Sequence, residues 1–106
     1  FPDDPPRFLA RTPHGYHDTA LIRGELEGAG FSRVAIETRA DQGRAGSPRL
    51  PAVAYCRGTP LRNEIEARDA EGLDAATDRA ASAIAERHGS GEVAARIQAH
   101  IIMAAI

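Results

Sequence analysis

Lysine and tryptophan are missing from all 106 residues, and cysteine and methionine occur once each. The 13 basic residues are therefore all arginine. That excludes a lysine Schiff base, a lysine general base and a phosphate-loop lysine. The lone Cys56 has no partner for an internal disulfide and cannot supply the thiolates of a structural zinc site. A reducing cytoplasm is the expected compartment. No apolar run approaches the roughly 18 residues that a membrane helix needs, the longest being Ile101 to Ile106. No basic-then-apolar segment opens the chain. Basic and acidic residues nearly cancel, at 13 against 15 and a net charge of −2. Nothing in that balance draws DNA or RNA.

Aromatic residues are few, with three Phe and two Tyr, and alanine carries much of the 42% apolar share. A single small domain is expected, spanning 1–106, with a thin core of Ala, Ile, Leu and Val. The opening Phe1-Pro2-Asp3-Asp4-Pro5-Pro6 reads like an interior linker, and Ile106 stops inside an apolar stretch. Both ends are expected to continue in a longer chain.

Four of the seven prolines fall in residues 1–17, which predicts a loop or linker there. Asp18 is a good N-cap for a helix whose Leu21, Ile22, Leu26 and Ala29 share one face. Gly30 supplies its left-handed stop, and Phe31 can fold back on the last turn. Val34, Ile36 and Thr38 then alternate with Arg33, Ala35, Glu37 and Arg39, the pattern of a half-wet strand. Asp41 to Gly46 reads as a polar loop. Ser47-Pro48 and Thr59-Pro60 are two helix-start signals, predicting two short helices or one sharply kinked near Gly58 to Pro60. Leu50, Val53, Ala54 and Tyr55 form the apolar face of the first. A further helix covers 73–88, with Ala76, Ala80, Ala83 and Ile84 inward and Gly89 as stop. The run Arg96 to Ala104 suits a strand entering a buried sheet position. The order is thus loop, helix, strand, helix, helix, helix, strand. Two strands rarely stand alone in water. Either the sheet is shared between two copies or it belongs to a wider one.

Candidate sites are sparse. His14, Tyr16, His17 and Asp18 gather two imidazoles, a phenol and a carboxylate within five residues. They could serve acid–base work or metal binding, but a helix-entry loop capped by Asp18 accounts for them more simply. Cys56 lacks a base beside it and fits packing. Arg57, Arg62 and Arg68, interleaved with Glu64 and Glu66, could clamp an anion or simply form spaced ion pairs on a wet face. His100 among apolar neighbours fits a hydrogen-bonded core histidine. No glycine-rich turn of the G-x-G-x-x-G kind follows a strand.

Three stretches together are similar to a known family. They are Pro13-His14-Gly15-Tyr16-His17-Asp18 with its helix ending Ala29-Gly30-Phe31, then Gly58-Thr59-Pro60-Leu61-Arg62, then the helix closing at Arg87-His88-Gly89 before a last strand. Over residues 8–105 the chain resembles the C-terminal part of class I S-adenosylmethionine-dependent methyltransferases that act on small molecules and quinone precursors. The resemblance implies an α+β fragment of a Rossmann-like α/β fold, with about three to four helices and two antiparallel strands. It implies a small-molecule methyl acceptor, no nucleic acid or membrane partner, and S-adenosylmethionine as cofactor of the full-length protein. The family's cofactor turn and acidic strand end have no counterpart here, so the chain alone is expected neither to bind the cofactor nor to turn over. On the same resemblance His14 and Tyr16 would touch the acceptor, and Tyr55, Arg57, Thr59 and Arg62 would belong to a lid above it. A stand-alone dimerisation module, pairing strands through an exposed sheet edge, is the competing expectation. A metal-dependent hydrolase using His14, His17 and Asp18 is the third.

Overall fold

The computed structural model describes residues 1–106. In chain order it contains α1 (Phe8–Arg11), α2 (Thr19–Gly28), β1 (Arg33–Ala45), α3 (Arg49–Gly58), α4 (Leu61–Arg68), α5 (Leu73–His88) and β2 (Val93–Ala105). The class is α+β, with a two-stranded antiparallel sheet. Five helices are present rather than three to four, because α1 interrupts the segment 1–17 expected to be loop throughout.

The local rules hold best around α2. Asp18 has extended backbone, and its carboxylate accepts from the amides of Ala20 and Leu21 at 2.9 and 3.2 Å. Gly30 ends the helix at φ +103°, a conformation that costs a side chain with a Cβ. The Phe31 amide then donates back to the Leu26 carbonyl at 3.1 Å. Between α3 and α4 the chain breaks into two helices. Thr59 joins them, its hydroxyl donating to the Tyr55 carbonyl at 2.6 Å and accepting from the Leu61 amide at 3.2 Å. Pro48 takes the N-cap position of α3, and Ser47 makes no capping bond.

Only 10 of the 106 residues are buried, and the core lies among the helices rather than under the sheet. Cys56, Leu61, Ile65 and Leu73 form it, with Phe8, Leu9, Ala76 and Ala80 packed around them. This explains α1, whose two large apolar residues reach across to α4 and are held there by Glu64. Thr77 is fully buried, and its hydroxyl donates to the Leu73 carbonyl at 2.7 Å. Two expected faces are corrected. In α3 the buried side is Ala52 and Cys56, leaving Leu50, Val53 and Tyr55 exposed. In α5 it is Leu73 and Thr77, with Ala83 exposed.

β1 and β2 pair along 13 residues each, from Arg33 opposite Ala105 to Ala45 opposite Val93. The segment Asp41 to Ala45, expected to be loop, is strand because Val93 to Ile97 supplies its partners. Cross-strand partners share a face, so the register divides the ribbon cleanly. On the even face Val34 and Ile36 are half-buried beneath α2, where Ile22 is buried. Thr38 pairs with His100 on that side. On the odd face β2 presents Val93, Ala95, Ile97, Ala99, Ile101, Met103 and Ala105, every one apolar. Ile101 is 44% exposed and Met103 70%. The opposing β1 positions include Arg33, Glu37, Arg39 and Asp41. With the ribbon projecting from the helices, the chain measures 49 × 31 × 21 Å. Its radius of gyration is 17.5 Å, where a compact domain of about 100 residues has about 13 Å.

Candidate functional site

Two regions collect the chemistry-bearing side chains. The first is the loop entering α2. Here the Tyr16 hydroxyl donates to Glu25 on α2. That hydrogen bond, helped by desolvation and the carboxylate's charge, raises the phenol above its ordinary pKa. Its hydroxyl proton is thus engaged by Glu25. His14 is exposed in the same loop. His17 contributes its backbone, whose carbonyl lies 3.1 Å from His100 Nε2. A carbonyl only accepts, so Nε2 carries a proton, and Nδ1 shares a hydrogen bond with the Thr38 hydroxyl at 2.8 Å. His100 is hydrogen-bonded as the sequence suggested, but it is half-buried on the ribbon rather than in the core, and it ties the loop to β2. No three His, Cys, Asp or Glu residues gather closely enough to hold a metal ion. The hydrolase reading on His14, His17 and Asp18 therefore has no ligand set.

The second region is a cleft of about 670 Å³ between the helices and the Val93 end of the ribbon. Leu50, Ala54 and Tyr55 of α3 form one wall, Ile84 and His88 of α5 another, and Val93, Ala95 and Ile97 of β2 the floor. The exposed face of α3 thus points into a concavity rather than into the core. Of the six residues singled out for acceptor contact, only Tyr55 lines this cleft. Arg57 pairs with Asp74, and Arg62 pairs with Glu66 one turn on at 2.8 Å. Thr59 is committed to the α3–α4 junction, and His14 and Tyr16 stand at the entrance to α2. Arg68 reaches Asp4 and the Glu64 carbonyl. The arginines do not converge.

His88 is the residue that sequence reasoning missed, having been read only as part of a helix end. Its spacing of four from Ile84 puts both on one face of α5, and that was the available signal. On the far side of the helical layer Glu64 accepts from the Arg11 guanidinium at 2.6 Å and from the Arg7 amide at 3.1 Å. The Arg11 hydrogen bond is the main cause that lowers the Glu64 pKa. Partial desolvation opposes it, while the Arg7 amide and the Arg11 and Arg68 charges add to it. This cluster fastens α1 to α4. No helix is long and apolar enough to cross a membrane. In comparisons with protein-family models and with curated proteins, nothing matches the chain.

Proposed function

We propose that this chain is the carboxyl-terminal, acceptor-side portion of a Rossmann-like S-adenosylmethionine-dependent methyltransferase that acts on a small molecule. The observation that carries the reading is the asymmetry of the ribbon. β2 has one charged residue in 13, Arg96, and an unbroken apolar odd face. β1 carries Arg33, Glu37, Arg39, Asp41 and Arg44. Charge is what natural sheets put on an edge strand, and continuous apolarity is what they put on an interior one. β1 reads as the edge of a wider sheet and β2 as its neighbour on the inner side. A helix, a strand, a helical insertion and an antiparallel strand are the order that the resemblance implies.

The chain does not offer a cradle for the cofactor. Gly46-Ser47-Pro48 follows β1, so no glycine-rich turn leads from a strand into a helix, and no acidic residue ends either strand. S-adenosylmethionine would be held by the remainder of the sheet, and no chemical step is assigned to residues here. What this chain contributes is an apolar wall: the sides of α3, α5 and β2 at the carboxyl end of β1. Ligands of open α/β sheets gather at the carboxyl ends of strands.

The test is calorimetric titration of S-adenosylmethionine into the product of the complete reading frame and into this chain alone. Binding by the first and not by the second is expected. A complete product that fails to bind contradicts the reading. The free edge of β2 also supports a second one, a dimerisation module in which two copies pair β2 with β2 and no catalysis occurs. A monomer–dimer equilibrium that is lost on adding a charge to the β2 odd face would favour it.

A further inference from the structure

We propose that the cleft between α3, α5 and the Val93 end of the ribbon binds an uncharged, mainly apolar small molecule that carries a hydroxyl group. Its volume of about 670 Å³ lies within the range of roughly 300–1,000 Å³ typical of small-molecule sites. The concavity is built by the sheet itself. Gly43 stands opposite Ala95, two small residues on the odd face between the bulkier Val93 and Ile97. A Cβ at Gly43 would lie 3.4 Å from Ile97 Cγ2, in van der Waals contact, and would take up space on the floor. Leu50 and Ile84 supply apolar walls from the two helices.

No Asp or Glu lines the cleft, and the one arginine at its rim, Arg44, belongs to the even face of β1, where it donates to Gln42 at 3.0 Å, while the floor of the cleft is the odd face. An ionic ligand would be desolvated with no opposite charge to meet it. Two polar groups remain open. The Tyr55 hydroxyl and the His88 imidazole make no hydrogen bond within the protein while lining an otherwise apolar wall. Each can donate and accept, which fits a ligand hydroxyl. The site rests on the cleft alone and stands whichever reading of the free sheet edge holds.

The experiment follows amide and side-chain NMR shifts of this chain while 2-naphthol, naphthalene or 2-naphthoate is added. Saturable shifts centred on Leu50, Tyr55, Ile84 and His88 are expected, with 2-naphthol binding best and 2-naphthoate worst. Ala54→Phe, a filling substitution at an exposed helix position, should abolish them, and Met103→Glu at the far end of the same ribbon face should not. Tyr55→Phe should weaken 2-naphthol about fivefold, the scale of one hydrogen bond, and leave naphthalene unchanged. Absence of saturable shifts, preference for the carboxylate, or shifts that move to Ile101 and Met103 and survive Ala54→Phe would each overturn the proposal. None of these results alters whether the complete product binds S-adenosylmethionine.

Discussion

Asp18 shows how much one side chain decides. Its carboxylate satisfies two amides that the first turn of α2 would otherwise leave to water, and it fixes where the loop ends and the helix begins. Asp18→Ala should cost about 1 kcal/mol, the usual worth of such a cap, read as a lowered urea midpoint with unchanged slope. Glu64 makes a different contribution, because its pKa is depressed in the folded chain. The stabilisation it brings is complete above the ordinary glutamate range and disappears as pH falls through the lowered folded value. On acidification the Phe8 and Leu9 resonances should shift as α1 loosens from α4. In Glu64→Gln that pH-dependent step should be absent. Residues of this kind were legible because their chemistry is local: Asp18, Gly30 and Phe31 needed only neighbours in sequence. Glu64 was not, since its partners Arg7 and Arg11 lie more than 50 positions away.

Among the elements, the three central helices hold the core and the ribbon does not. Ile65 is 2% exposed, within the cluster of Cys56, Leu61 and Leu73. Ile65→Ala should therefore cost about 3 kcal/mol. Ile101→Ala, on the uncovered ribbon face, should cost about 0.5 kcal/mol or less. Urea unfolding of the two variants checks the contrast, and equal losses would mean that the odd face is covered. Misread elements share one cause. Asp41 to Ala45 has the composition of a turn, yet pairing with Val93 to Ile97 makes it strand, and that pairing spans the whole helical insertion. α1 sits in a proline-rich segment that looks extended until α4 offers its apolar side. In α3 both faces are apolar enough to be core. Neighbours chose Ala52 and Cys56, and Leu50 and Tyr55 were left to the cleft.

For the whole molecule, the account turns on an imbalance between chain length and burial. A chain of 106 residues with 10 buried leaves much of one apolar ribbon face uncovered, Ile101 and Met103 included. The α+β class and the order of the main elements were readable from hydrophobic periodicity. The candidate site was readable only in Tyr55, because a cleft formed by three elements leaves no contiguous motif. The central claim is that β2 is an inner strand whose second edge another strand completes. Amide hydrogen exchange tests this directly, comparing Val93–Ala105 in this chain and in the product of the complete reading frame. Amides of β2 that point away from β1 should exchange freely here and become strongly protected there. The same amides exchanging freely in both, or gaining protection here as concentration rises, would contradict the claim and leave β2 as an exposed edge or a self-pairing one.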